Sequence, residues 1–438
     1  MRKQPNAPSD TPKIRRSLTH VGGDVATRGD PKIRGVLTRA LEVERSIDGA
    51  ADPATGVTSG EAEARAHVHG FHVYPARMHP TTARRLVEGL SRPQGTVLDP
   101  FCGSGTVLVE ARLVGRRAIG VDINPLAIQL ARRKVTPADE TERSALLAAA
   151  RAAAEVADGR RKAKAGASRR FPDEDVATFD PHVLLELDGL RVGIEACTDA
   201  RTKGDLLLVL SSILTKLSRR RADTSDAAGP KRIAAGYPSR LFVKKTEELV
   251  RLLEHVFEPL SSAPQATVLE GDARRLSGVA DGSSDLVVTS PPYAGVYDYL
   301  DHHRARLRWL AKDTRKFQRS EIGSKRALSR LSASEAIDAY GDEMTDTLHA
   351  LHRVLVPGAL AALLVADSAF GRVPLAADDL VIEAGRRAGF TPRASASQVR
   401  PHFDAGTLGA FTREPRREHV VVLQRDRAPV SSVEKTRP

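Results

Sequence analysis

Short, fully apolar runs alternate with amphipathic stretches along most of the chain. Residues 96–101, 118–122, 266–269, 285–289 and 359–365 each read as a strand buried on both faces, too short and too β-branched for helices. A further strand starts at Gly389-Phe390, and another spans 418–424. Helical periodicity fills the gaps. It predicts helices over 80–90, 107–114, 126–134 (with Pro125 at its first turn), 301–310, 333–355 and 380–388. Pro357-Gly358 is expected to end the helix over 333–355 and turn into the next strand. Strand and helix alternating in this way predict a doubly wound α/β sheet.

Two regions break the rhythm. Residues 1–65 are rich in Pro, Gly, Asp, Thr and Arg, with one short helical patch over 35–47, and read as a largely disordered basic arm. Residues 138–262 are helical throughout, with expected helices over 142–158, 181–196, 202–221 and 240–257. Arg/Lys-rich loops punctuate them: Arg160-Arg161-Lys162, Ser168-Arg169-Arg170 and Ser218-Arg219-Arg220-Arg221. Such loops are either solvated faces or the lining of a nucleic-acid groove. The α/β pattern therefore divides into a half over 66–137 and a half over 263–425, separated by a helical insertion that is the candidate for target recognition. The polar tail over 426–438 reads as disordered.

Composition refines this picture modestly. The 438 residues carry a formal charge of +12, which suits a polyanionic partner. Arginine far outnumbers lysine and alanine is abundant, however, as in proteins of GC-rich genomes, so charge alone does not establish a nucleic-acid partner. Two cysteines, Cys102 and Cys197, cannot build a disulfide framework, and no Cys/His cluster has metal-ligand spacing. The start of the chain lacks an apolar signal core, and the longest apolar run, 359–366, is too short to span a bilayer. A soluble, cytoplasmic protein is expected.

The chemistry sits at two strand ends. Val97-Leu98-Asp99-Pro100-Phe101-Cys102-Gly103-Ser104-Gly105-Thr106 is a strand followed by a glycine loop and a helix. Glycines there let the backbone turn tightly and approach a ligand. The next strand ends in Asp122, roughly 20 residues on, where a nucleotide-binding α/β unit places the acid that holds ribose hydroxyls. The second site is Thr289-Ser290-Pro291-Pro292-Tyr293, directly after a buried strand. Two prolines remove backbone donors and stiffen the loop, and tyrosine adds a flat face. A planar, amine-bearing ring is the natural guest.

Together the two motifs resemble those of the S-adenosylmethionine-dependent DNA amino-methyltransferases that act on cytosine N4 or adenine N6. The segment Phe71-His72-Val73-Tyr74-Pro75-Ala76-Arg77-Met78-His79-Pro80 is similar to the one that precedes the glycine loop in that family. The resemblance covers about residues 70–135 and 265–425. It implies a Rossmann-like class I methyltransferase fold, with a seven-stranded sheet whose last strand is antiparallel; the helical insertion, between the second and third strands, departs from the family's usual placement of recognition domains. The resemblance also implies S-adenosyl-L-methionine as cofactor. Tyr74, Asp99, Phe101, Gly103, Gly105 and Thr106 would lie toward its methionine portion, Asp122 on the ribose, and Asp272, after the strand at 266–269, on the adenine amine.

Ser290, Pro291, Pro292 and Tyr293 would form the catalytic loop. The Ser290 hydroxyl and the Pro291 carbonyl would accept the hydrogens of the target amine, and Tyr293 would stack on its ring. The serine form points to cytosine N4 in DNA, with adenine N6 in DNA or guanine N2 in RNA as the alternatives. DNA is the implied partner, with its target base flipped out, and a cognate restriction or defence-system protein is a second partner the family allows.

Overall fold

A computed structural model describes residues 24–42, 65–75, 77–219, 232–400 and 408–426. The strands are β1 (Val25–Gly29), β2 (Thr96–Asp99), β3 (Arg117–Asp122), β4 (Ala266–Glu270), β5 (Ser284–Thr289), β6 (Leu355–Ala366), β7 (Ser368–Phe370), β8 (Val373–Leu375), β9 (Phe390–Val399) and β10 (Arg417–Arg425). Eight of them form one sheet in the order β1-β9-β10-β6-β5-β2-β3-β4, while β7 and β8 pair as a separate hairpin. Strands β6, β5, β2, β3 and β4 run parallel, and β10 is antiparallel to both β6 and β9. Successive crossovers leave β2 toward one edge and β5 toward the other. The carboxyl ends of β2 and β5 therefore lie side by side at the topological switch, where ligands bind in open α/β sheets. This is the Rossmann-like methyltransferase arrangement expected from the sequence, with one strand more.

The extra strand comes from the segment read as a disordered arm. Residues 25–29 pair antiparallel with β9, from Val25↔Gln398 to Gly29↔Ala394. A Cβ on Gly29 would sit 2.2 Å from the Arg393 carbonyl oxygen, so the approach needs glycine. Asp30 then caps α1 (Pro31–Leu41) by accepting from Lys32 N at 2.9 Å and Ile33 N at 3.2 Å, and pairs with Arg393 at 3.0 Å. Leu37, Ala40 and Leu41 are buried. Five strand residues with no alternation leave no sequence signal, which is why the composition misled. The rest of the expected arm, and the tail over 427–438, lie outside the described residues.

Helices α2 (Pro80–Leu90), α3 (Thr106–Leu113) and α4 (Pro125–Val135) follow the predicted spans closely. In the insertion, α5 (Glu140–Lys162), α6 (Asp173–Thr178), α7 (Pro181–Glu195), α8 (Ala200–Leu217), α9 (Tyr237–His255) and α10 (Phe257–Ser262) do not form a separate body. Leu187, Leu206 and Phe242 belong to the same apolar cluster as Val97 and Leu286 of the sheet. Its basic loops are largely engaged with acids. Arg160 and Arg169 face buried Asp188 at 3.8 and 3.6 Å, Arg219 pairs with Asp180 at 2.9 Å, and Arg161 with Asp158 at 3.4 Å. Arg169 also lies over the Trp309 ring at 4.7 Å. Lys162, Lys164 and Arg170 of the same loops are exposed.

Beyond β5 come α11 (Tyr299–Trp309), α12 (Arg315–Ser320), α13 (Lys325–Leu328), α14 (Ala333–Val354) and α15 (Ala377–Arg387). Helix α14 opens with a capping box from Ser332 and Glu335 and ends at Val354. It passes straight into β6, so Pro357-Gly358 lies inside the strand instead of before it. The pair sits where the β5–β6 register shifts between Ser284 and Leu286, a place a strand proline tolerates. No helix among the described residues is long and apolar enough to cross a membrane.

Helices α5 and α7 meet through small residues. A Cβ on Gly193 would lie 2.6 Å from Ala153 Cα and 2.8 Å from its carbonyl oxygen, both backbone atoms that cannot turn aside. Gly193→Ala is therefore expected to lower stability by about 1–3 kcal/mol in denaturant unfolding. Gly204→Ala in α8 has nothing within 4 Å and should be neutral or slightly stabilising, because alanine favours a helix interior. Equal effects of the two substitutions would contradict this packing.

Candidate active site

One cavity opens over the adjoining ends of β2 and β5. Tyr74, Asp99, Phe101, Gly103, Thr106, Asp122, Asp272, Ser290 and Pro292, all expected from the sequence, line it. The loop after β2 is tied to the end of β3: Gly103 N donates to Asp122 Oδ2 at 2.8 Å, and Cys102 N to the Val121 carbonyl at 3.0 Å. Asn124 N donates to Asp122 Oδ1 at 2.8 Å. Gly103 has φ +49°, and a Cβ there would press on the Tyr74 ring at 3.1 Å. Gly105 serves differently. It does not line the cavity but begins α3 at φ +84°, where a Cβ would come within 3.0 Å of Ala131 Cα. Its lack of a side chain lets α3 approach α4.

Asp99 joins the two motifs. Its Oδ1 accepts from Thr289 Oγ1 at 2.6 Å and from Phe101 N at 3.1 Å. Burial raises its pKa to about 7 against those two bonds, which favour the carboxylate. Burial likewise raises Asp122 to about 6, despite backbone donors at Asn124 and Gly103. Neither acid has a basic partner among the described residues, so a cationic ligand would relieve both. Asp272 is balanced otherwise: burial pushes its pKa up, but the Arg274 guanidinium at 2.8 Å and its backbone N–H hold it below the ordinary value. Its carboxylate is thus already paired at the cavity wall.

The catalytic loop is only partly as expected. Ser290 and Pro292 face the cavity, while Pro291 and Tyr293 are not among its walls. The Pro292 carbonyl accepts from the Tyr340 hydroxyl at 2.9 Å. Tyr293 is only 5% exposed and donates to Glu418 Oε1 at 3.1 Å. Its ring is packed inside the fold and offers no stacking face in this arrangement.

Several wall residues lie outside the two motifs. Asn124 donates to the Tyr74 hydroxyl at 3.3 Å, and the Tyr74 ring stacks on buried His303 at 5.0 Å. Tyr299, Phe317, Ser320 and Glu321 close the side near Asp272. Glu321 anchors that cover by accepting from Leu300 N at 3.3 Å at the start of α11. Burial raises its pKa to about 7.

Residues 44–133 match the DNA methylase family of the N6/N4 type. Among curated relatives, the Type II methyltransferase M.MvaI of Kocuria varians is 38% identical over 79 residues, 17% of this chain and 17% of that one. The Type II methyltransferase M.BsoBI of Geobacillus stearothermophilus is 24% identical over 294 residues, 60% of this chain and 56% of that protein. A tRNA (guanine(10)-N2)-dimethyltransferase of Methanothermobacter thermautotrophicus is 44% identical over 63 residues, 14% of this chain and 18% of that one. The alignments thus span less than two thirds of each of these relatives.

The cavity fits S-adenosyl-L-methionine, the cofactor of this site. Its glycine cradle, Asp99 and Asp122 without basic partners among the described residues, and a third acid at the end of β4 form a donor and acceptor set for a cationic nucleoside. The Asp99 acid also makes stability depend on pH. Its pKa in the folded chain, about 7, exceeds the ordinary 3.8, so stability present at low pH is lost as pH rises through that window. Asp99→Asn removes this loss. Its melting temperature relative to the parent should be higher at about pH 8 than at about pH 5 in calorimetry of the cofactor-free protein. A difference independent of pH would contradict the assignment.

Proposed function

We propose that this chain, which over residues 44–133 matches the DNA methylase family of the N6/N4 type, methylates the exocyclic N4 amine of cytosine in DNA at a specific sequence, acting in the cytoplasm. The observation that carries the reading is the shared cavity: Ser290 opens onto the space lined by Asp99, Gly103, Asp122 and Asp272. When bound, the cofactor supplies an activated methyl group. The protein's task is then the nucleophile, whose lone pair is delocalised into the base.

The Ser290 hydroxyl oxygen and the Pro291 carbonyl accept the two amine hydrogens. Holding both draws the nitrogen toward tetrahedral geometry and aims its lone pair into the cavity. Asp122 takes the ribose hydroxyls, and Asp272 with its Arg274 partner lies at the adenine end. Asp99, Phe101, Gly103 and Thr106, with Tyr74, border the methionine end. A paired base cannot reach so enclosed a loop, so the target is flipped out of the duplex.

Two other amines have the same chemistry. Adenine N6 offers the same two hydrogens, and the similarity to a tRNA (guanine(10)-N2)-dimethyltransferase over 63 residues supports guanine N2 as a third reading. Expression in a host free of DNA methylation, followed by single-molecule sequencing, separates them. N4-methylcytosine at one short motif is the expected result. N6-methyladenine there, or methylated RNA with unmodified DNA, would replace the reading. Ser290→Ala should reduce methyl transfer by at least about a hundredfold, the scale for losing one preorganised hydrogen-bonding group. An unaltered rate would remove Ser290 from its role.

A further inference from the structure

Strand β6 outruns its neighbour. Leu363 is the partner of Thr289, the last residue of β5, and β6 continues to Ala366. Three further residues carry it about 10 Å past the start of the catalytic loop. There the chain folds into the β7–β8 hairpin, Ser368-Ala369-Phe370-Gly371-Arg372-Val373-Pro374-Leu375, before entering α15. The chemistry at Ser290 gives this hairpin no task.

Its base is fixed. Asp367 Oδ1 accepts from Ala377 N at 3.0 Å, which clamps together the residues before and after the hairpin. Asp367 Oδ2 accepts from Arg417 N at 2.9 Å, and the Asp367 amide donates to the Arg417 carbonyl at 2.9 Å. His419 Nε2 lies 2.9 Å from Oδ1. A hairpin with three residues per strand is marginal on its own in water, and this clamp supplies what it lacks. The Phe370 ring also rests on the turn after the catalytic loop: a Cβ on Gly295 would lie 2.8 Å from Phe370 Cε1.

The tip is the reverse of the base. Residues 371–374 are all exposed, Val373 at 43%. Arg372 makes no ion pair or hydrogen bond among the described residues, and the hairpin holds no acid to oppose it. Arg413 is likewise exposed and without a partner among the described residues. It comes three residues before Arg416, whose Nε donates to the Asp367 carbonyl at 2.9 Å, so its Cα is within about 11 Å of that of Arg416. A bare cation beside an apolar edge, on a rigid mount, suits a polyanion with apolar sugar and base surfaces.

We propose that the hairpin tip docks on the DNA duplex beside the flipped base, with Arg372 on a backbone phosphate and Val373 and Pro374 against the neighbouring sugar and base step. The inference rests on the proposed transfer to DNA and names the element that holds the duplex while the base is out. Because the hairpin grows from the strand next to β5, it sets the duplex at a fixed distance from Ser290.

Equilibrium binding of the full-length protein to a duplex carrying its mapped motif, across a salt series, tests this. Each phosphate contact adds about one to the slope of log affinity against log salt. Arg372→Ala should lower that slope by about one and weaken binding about tenfold at fixed salt, the scale of one charge-assisted hydrogen bond. Methylation should show a raised KM for DNA with kcat unchanged, and cofactor affinity should match the parent. Arg372→Lys should restore the slope, since an ammonium also pairs with phosphate. Lys32→Ala removes the same charge from the opposite edge of the sheet, where β1 ends, and should leave the slope as in the parent. A parent-like slope in Arg372→Ala, or an equal drop in Lys32→Ala, overturns the inference alone when the parent methylates DNA. Methylation of RNA with no affinity for duplex DNA overturns the reading of the activity and this inference with it.

Discussion

The hydrogen bond from Thr289 Oγ1 to Asp99 Oδ1, 2.6 Å long and fully buried, is the contact on which the rest of the site depends. It spans 190 residues of sequence and joins the last residues of the two strands that flank the topological switch. One side leads into the glycine loop, the other into Ser-Pro-Pro-Tyr. Any ligand bound by the first loop is thereby held at a set distance from the second. The adjoining parallel ladder, Val97↔Leu286 and Leu98↔Val287, fixes the same register along the strands. A transfer reaction between two bound molecules needs such a fixed separation more than it needs an acid or a base.

Around that contact the protein keeps charge in an unusual state. Asp99, Asp122 and Glu321 are pushed up to about 7, 6 and 7, in each case mainly by burial. Desolvated acids in a cleft are a cost to the empty fold and an attraction for a cation. Asp272 and Glu418 instead carry arginine partners. Asp99 and Asp122, with no basic partner among the described residues, await a ligand, while Asp272 and Glu418 are complete without one and hold geometry.

Much of this was legible in the chain. The parallel strands announce themselves as short apolar runs because both faces are covered, and the glycine loop and the acid after the next strand obey spacing rules with a geometric cause. That is why Asp99, Gly103, Asp122, Asp272 and Ser290 converge as expected. What was missed has equally physical reasons. Strand β1 is short and lacks alternation, so its pairing with β9 rests on Gly29 and Asp30, which look like loop residues in sequence. Tyr293 was read as a stacking face because an aromatic after two prolines suggests exposure, yet its fate was decided by Glu418, 125 residues away. Phe317 and Ser320 enter the wall through the path of α12, and no local pattern encodes that path. The basic loops of the insertion were ambiguous because the acids that pair with them, Asp180 and Asp188, lie in other helices.

The central claim is that one cavity holds the cofactor at Asp122 and presents Ser290 to the acceptor. Calorimetric titration of S-adenosylmethionine into the parent, Asp122→Ala and Ser290→Ala proteins, each with parent-like circular dichroism, tests it most directly. The account predicts that Asp122→Ala loses cofactor binding, whereas Ser290→Ala binds as the parent does. Parent-like binding by Asp122→Ala, or equal weakening in both variants, would contradict it.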